Sequence, residues 1–215
     1  MKIKDLKVFI VGNPPPSWGG RYFTFVKLTT DNGIEGIGEC YCATFGPKAM
    51  TTMIEDTFGR YVEGMDPFHI EDLWRKVYGS GFTQRPDVSL MGVLSGIEIA
   101  LWDIIGKSVN KPVYELLGGR VQEKLRSYTY IYPDLAKGQD DSIYWNAEAS
   151  AERAAEYVKK GFTAIKFDPA APYSAFDPRQ PSLESIELCT RFCRLIREAV
   201  GDKADLLFGT HGQFT

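Results

Sequence analysis

Between Val88 and Lys107 the chain is apolar on almost every side of a helix. Leu90, Val93, Leu94, Ile97, Ile99, Ala100, Leu101, Trp102, Ile104 and Ile105 leave no wide polar face. A helix of that kind is buried on several sides, so other elements must surround it. Glu98 and Asp103 interrupt the run, which reads against a membrane span, for which about 20 largely apolar residues are needed.

The flanking sequence supplies the surroundings. Ile3 to Val11 alternates apolar and polar residues, the period of a half-buried strand. The Asn13-Pro14-Pro15-Pro16-Ser17-Trp18-Gly19-Gly20 cluster breaks it. Arg21 to Thr30 alternates again, Asp31-Asn32-Gly33 is a turn signal, and Ile34 to Cys40 reads as the partner strand. These three segments predict an antiparallel meander. Helical spacing follows over Pro47 to Tyr61, Pro67 to Tyr78 and Val88 to Lys107, then over a short Pro112 to Leu117 stopped by Gly118-Gly119.

Beyond Arg120 to Lys124 the pattern changes. Ser127 to Tyr132, Thr163 to Phe167 and Asp205 to Phe208 read as short strands. They alternate with amphipathic helices over Ala147 to Lys160 and over Leu183 to Val200, the latter with Ser182 as N-cap. Strand-helix alternation means βαβ units and a parallel sheet.

Charge excludes some functions. The net charge is −3, with acids and bases interspersed, which lacks the basic footprint of a nucleic-acid binder. The charged start, Met1-Lys2-Ile3-Lys4-Asp5, lacks the apolar core of a signal peptide. A cytoplasmic protein with no membrane or nucleic-acid partner is expected. The cysteines fall as Cys40-x-Cys42 and Cys189-x3-Cys193, spacings that fit common zinc sets poorly. They read as reduced structural thiols.

The run Leu94-Ser95-Gly96-Ile97-Glu98-Ile99-Ala100-Leu101-Trp102-Asp103-Ile104-Ile105-Gly106-Lys107 resembles the signature helix of the mandelate racemase and muconate lactonizing group of the enolase superfamily. Lys111-Pro112-Val113-Tyr114-Glu115-Leu116-Leu117-Gly118-Gly119 continues the likeness, as do the Asp31-Asn32-Gly33 turn and Gly36-Ile37-Gly38-Glu39. The resemblance implies an α+β N-terminal cap domain, a three-stranded antiparallel meander plus helices, over residues 1–122. It implies the first three strands of a (β/α)8 TIM barrel, incomplete, over residues 123–215. It also implies chemistry: abstraction of the proton α to a carboxylate, with Mg²⁺ stabilising the enediolate. That carbon acid is weak, so the developing charge must be stabilised in a site closed to water. Within the group the chain is nearest to sugar-acid dehydratases, which turn an aldonate or aldarate into a 2-keto-3-deoxy acid. A racemase or cycloisomerase is the alternative.

Barrel active sites sit at the C-terminal ends of the strands. The second barrel strand ends Lys166-Phe167-Asp168, where the family carries Lys-x-Lys. Lys166 matches the first lysine, which neutralises a substrate carboxylate; Asp168 replaces the second, often a base. A surface charge at a strand end is the plain alternative for Lys166. The third strand ends Gly209-Thr210-His211-Gly212-Gln213. Dehydratases carry a metal-binding carboxylate, one residue, then His-Gly there. His211 matches the acid that protonates departing hydroxide, a role that its ordinary pKa of about 6.5 suits. Gly209 stands where the first metal carboxylate belongs, so the metal ligands are unknown. In the loop Asn13 to Arg21, Trp18 and Arg21 read equally as contacts to an acid sugar or as an exposed turn whose Trp18 packs on the cap. Tyr41 to Gly46 is a weaker second loop. Asp177 and Arg179 lie in a long strand-to-helix insert of the kind that is functional or disordered. His69, opening a cap helix, reads as structural or solvated.

Too few residues follow Lys124 for the roughly 250 of a whole barrel. Three strands also leave an unpaired edge. The chain alone is expected to be inactive: part of a longer protein, one subunit of a split barrel, or a non-catalytic fragment. A homo-oligomer or association with the missing barrel half is expected, with a small-molecule acid sugar as substrate.

Overall fold

The computed structural model describes residues 1–41, 45–169 and 182–210. The chain divides into two compact units, Met1–Val121 and Gln122–Thr215.

In the first unit, β1 (Ile3–Gly12), β2 (Tyr22–Thr30) and β3 (Glu35–Cys40) form an antiparallel sheet in the order β1-β2-β3. Val26 of β2 is the centre of the register, paired with Val8 on one side and Gly38 on the other. The alternation is realised as burial: Thr24, Val26, Leu28 and Thr30 face inward. Gly33, at φ +86°, makes the β2–β3 turn. The left-handed region costs a glycine nothing, because it has no Cβ to clash.

The buried face of the sheet meets α3 (Val88–Ser108), whose Val93, Leu94, Ile97, Ala100, Leu101 and Ile104 are fully covered. This helix is long and apolar enough to cross a membrane by length and composition. Here that apolarity fills a protein core with Ile54, Leu73 and Val77. Burying each such side chain stabilises by about 2 kcal/mol relative to exposure. Asp87 starts the helix, its carboxylate accepting from the amides of Ser89 (3.0 Å) and Leu90 (3.1 Å).

α1 (Pro47–Thr57) runs into a π-turn at Phe58–Val62, so the helix predicted to reach Tyr61 changes winding before its end. α2 (Ile70–Ser80) begins three residues later than its pattern suggests. Asp66 accepts from the amide of Phe68 through its side chain and from that of His69 through its carbonyl, which makes a turn of the intervening residues. α4 (Val113–Leu116) is a single turn.

The second unit is a parallel sheet of β4 (Thr129–Tyr130), β5 (Ala164–Phe167) and β6 (Asp205–Phe208), with α5 (Ala147–Lys159) between β4 and β5 and α6 (Leu183–Val200) between β5 and β6. This partial sheet, following the cap, is the incomplete barrel implied by the resemblance. Ile165 and Phe167 on one face are buried with Ala151, Ala154, Phe192 and Ile196 from the helices. Asn146 caps α5 by accepting from the Ala149 amide at 3.0 Å. Ser182 caps α6 as expected, accepting from Ser185 at 3.2 Å.

β4 is shorter than its sequence pattern. Its last ladder bond is from the Ile131 amide to the Lys166 carbonyl (3.0 Å); the Tyr132 amide turns back to the Tyr130 carbonyl (3.0 Å). Two 3-10 turns, Leu135–Lys137 and Asp141–Trp145, follow without an apolar period to announce them.

Candidate active site

The face of the second sheet opposite its helices carries the polar groups. Side chains alternate along a strand, so with Ile165 and Phe167 buried under the helices, Lys166 and Asp168 belong to the other face. Tyr130 is the register partner of Lys166 on β4, and Leu207 is its partner on β6. Gly209 follows on that same face, its amide held by the Phe167 carbonyl at 2.9 Å. Tyr130, Lys166, Asp168 and Gly209 thus gather at the C-terminal ends of three parallel strands, where barrel sites form.

Their geometry is specific. The Tyr130 hydroxyl donates to the Asp168 carboxylate. Burial first, then that hydrogen bond, raises the Tyr130 hydroxyl well above the ordinary tyrosine range. It stays a proton donor across the working pH of most enzymes. Oδ1 of Asp168 is buried. A Cβ built on Gly209 would overlap that oxygen and lie 3.0 Å from Cγ of Asp168 and 3.2 Å from Cε of Lys166. The carboxylate therefore occupies the volume that a side chain at position 209 would need. The Lys166 ammonium leans toward Tyr128, 6.0 Å from its ring centroid.

A cavity of about 580 Å³ is lined by Leu125 to Tyr130, Tyr132 and Lys166. It extends to Arg126, whose guanidinium bonds Thr163 and Asp205 beside the opposite strand ends. It is thus an uncovered sheet face as much as a ligand pocket, and the strand-end cluster is the better guide to chemistry.

Lys166, Asp168 and Gly209 are brought together; His211, Asp177 and Arg179 lie outside the described residues, as do residues 42–44 of the Tyr41 to Gly46 loop. Trp18 and Arg21 belong to the first unit. The Asn13 side chain closes their loop, donating to the carbonyls of Trp18 (3.0 Å) and Gly20 (2.7 Å). Trp18 is exposed, and Arg21 lines a cavity of about 340 Å³ with Glu39, Tyr41 and Met50. His69 lies with Glu98 and Trp102 along a larger cavity of about 700 Å³ between helices of the first unit. Glu98 there accepts from the indoles of Trp74 (2.5 Å) and Trp102 (3.2 Å), a structural use. Tyr130 was not among the residues expected from sequence. The strand-end rule that selects Lys166 selects it too, once its strand is aligned with β5.

Among the described residues no group of three or more His, Cys, Asp or Glu could close around a metal ion. Asp168 alone supplies a hard oxygen of the kind Mg²⁺ takes, and a single carboxylate does not make a set of ligands. Cys40 is buried, and no cysteine among the described residues joins a ligand set.

Known proteins share this organisation. The sequence profile of the mandelate racemase / muconate lactonizing enzyme N-terminal domain matches residues 17–118. A D-gluconate/D-galactonate dehydratase of Picrophilus torridus is 32% identical, over 99% of this chain and 51% of its own length. A D-galactonate dehydratase of Xanthomonas euvesicatoria is also 32% identical, over 99% of this chain and 49% of its own. The chain thus spans about half the length of the curated relatives it matches. The crystal structure of a mandelate racemase/muconate lactonizing enzyme from Sulfitobacter superposes with a TM-score of 0.91 at 53% identity, covering 100% of this chain and 54% of that one.

Proposed function

The chain belongs to the mandelate racemase and muconate lactonizing enzyme family, whose N-terminal domain it carries, and we propose that at full length the protein dehydrates a sugar acid. The α proton of an aldonate or aldarate leaves, the β hydroxide is expelled, and a 2-keto-3-deoxy acid results. The observation that supports this is the convergence of Lys166, Asp168 and Tyr130 at the ends of parallel strands, in a chain whose dehydratase relatives align over nearly all of it.

Roles follow from chemistry. Lys166 supplies a fixed positive charge for the substrate carboxylate, which gains negative charge as the α proton departs. His211 donates a proton to the leaving hydroxide, so that water rather than hydroxide departs. Trp18 and Arg21 meet the sugar by stacking and by charge. Mg²⁺, when bound, stabilises the enediolate oxygens. The base lies in the part of the barrel that this chain does not span. The protein works in the cytoplasm, as a homo-oligomer or joined to the remaining barrel half.

The test is to incubate the full-length protein with a panel of aldonic and aldaric acids and Mg²⁺, and to assay 2-keto-3-deoxy acid. Keto product supports dehydration. Isomerised acid with no keto product rejects it in favour of a racemase or cycloisomerase.

A further inference from the structure

We propose that Arg153 is a positioning residue of the strand-end site: from α5 it grips the chain leaving β4 and so fixes the tyrosines that line the cavity with Lys166. This rests on the reading above that Lys166 serves the reaction, and adds the residue that holds its surroundings in place.

The sheet releases this segment early. The Ile131 amide makes the last ladder bond, to the Lys166 carbonyl at 3.0 Å, and the Tyr132 amide turns back to the Tyr130 carbonyl. Pro133 has no amide to offer. The chain is held instead from the helix side. Nε of Arg153 donates to the Tyr132 carbonyl at 2.9 Å, and Nη1 donates to the Asp134 carboxylate at 3.1 Å. These two acceptors flank Pro133, so one rigid, planar fork fixes both sides of it. The fork is itself anchored. Nη1 also donates to Glu156 at 2.5 Å and Nη2 to the Tyr157 hydroxyl at 3.2 Å, and the guanidinium carbon lies 4.5 Å from the Tyr157 ring centroid.

The grip bears on the polar face of the sheet. Tyr130 pairs with Lys166 in the parallel register. Its ring centroid is 5.3 Å from that of Tyr132 and 6.0 Å from that of Tyr144. Tyr128, Tyr130, Tyr132 and Lys166 line one cavity of about 580 Å³. The segment leaves the C-terminal end of a parallel strand, where the loops of a barrel furnish its site. Arg153 is only 6% exposed and acts through that segment. Stability alone does not call for a buried cation, since a well-packed apolar residue of similar volume often serves as well. A fork that joins a carbonyl and a carboxylate two residues apart supplies direction, which an apolar residue lacks.

The experiment uses the full-length protein and two variants: Arg153→Met, which keeps volume without the fork, and Asp134→Asn, which weakens one of its holds. Folding is followed by circular dichroism, and kcat and KM for 2-keto-3-deoxy acid formation are measured where each variant is folded. The acetylation rate of Lys166 by limiting acetic anhydride is read by peptide mass spectrometry against that of the exposed Lys76 in α2. Arg153→Met is expected to lower kcat at least tenfold, because the charge that Lys166 stabilises grows only as the proton leaves. It is expected to raise the relative acetylation of Lys166 at least threefold. Asp134→Asn is expected to shift both in the same direction by a smaller factor. Folded Arg153→Met protein with kcat within twofold of the parent overturns the assignment, even if its thermal midpoint falls. If Arg153→Met does not fold, Asp134→Asn with unchanged kcat and unchanged Lys166 acetylation overturns it. A parent that forms no keto product overturns the dehydratase reading alone. The assignment then stands or falls on the acetylation of Lys166, which a residue with a merely structural role leaves unchanged in the folded variants.

Discussion

Gly38 of β3 and Gly96 of α3 touch backbone to backbone. A Cβ on Gly38 would overlap the Gly96 carbonyl oxygen and lie 2.9 Å from its carbon and 3.0 Å from the Ala100 amide nitrogen. A Cβ on Gly96 would overlap Sγ of Cys40 and lie 2.9 Å from the Cys40 amide nitrogen. At Gly38 and Gly96 the central helix therefore meets the sheet backbone to backbone, with Cys40 Sγ beside the contact.

Gly38→Ala and Gly96→Ala are each expected to lower the stability of the first unit by about 3 kcal/mol, the upper part of the overpacking range, because the obstacle is backbone that cannot rotate away. Gly12→Ala, whose Cβ would meet nothing within 4 Å, is the control and should change stability by less than about 0.5 kcal/mol. Urea unfolding followed by tryptophan fluorescence reads all three. Equal midpoints for Gly38→Ala and Gly12→Ala would contradict the close packing.

Glu98 is held by two indoles, those of Trp74 and Trp102. Its removal in Glu98→Ala leaves two part-buried N–H groups without this acceptor, at a cost of about 1–3 kcal/mol. Glu98→Gln keeps one carbonyl oxygen and should lose less. Thermal unfolding gives the ranking, and a shift in native tryptophan emission should accompany Glu98→Ala alone.

Arg153 is a buried cation in the second unit. Its guanidinium donates to the Tyr132 carbonyl (2.9 Å), Asp134 (3.1 Å) and Glu156 (2.5 Å), and lies 4.5 Å from the Tyr157 ring centroid. Replacing it by Ala takes one partner from each of those groups, leaves Lys137 to Asp134 and Glu156, and should cost about 3 kcal/mol. Glu156 adds a pH dependence. Hydrogen bonds from Lys137 first and Arg153 second hold its carboxyl near about 2, below the ordinary value of 4.5. The folded state therefore favours the ionised form. That stability is present in full above about 4.5 and is lost as pH falls toward about 2. Chemical denaturation across this window should show a steeper acid loss for the parent than for Glu156→Gln; parallel curves would exclude the linkage.

Cys40 is buried, and burial, with a smaller contribution from Glu39, pushes its thiol up to about 12. At about pH 8 almost no thiolate forms, so iodoacetamide should leave Cys40 unmodified in the folded protein and alkylate it in denaturant. Peptide mass spectrometry distinguishes the two. Rapid native alkylation of Cys40 would show that the β3–α3 seam opens.

The elements that could be read in advance are those with a local cause. The apolar circumference of Val88 to Lys107, the alternation of Arg21 to Thr30, the Asp31-Asn32-Gly33 turn and the Ser182 cap each act over a few residues, and each appears in the fold within a residue or two. The Ser127 to Tyr132 strand shrank to Thr129–Tyr130 because pairing with β5, not propensity, sets how far a parallel ladder runs. The 3-10 turns after it are held by backbone bonds that carry no side-chain period.

The site divides in the same way. Lys166 and Asp168 could be picked out by their place at a strand end, and Gly209 by the absence of a carboxylate where the family has one. That Asp168 lies in front of Gly209, or that Tyr130 donates to it, depends on a neighbourhood that only side-by-side strands create: β4 against β5 and β5 against β6. Residues 130, 168 and 209 are dozens of positions apart along the chain, and a hydrogen bond or an overlap acts over about 3 Å. Periodicity reports which face of an element is covered. Distance between elements exists only after hydrophobic burial has closed the intervening loops.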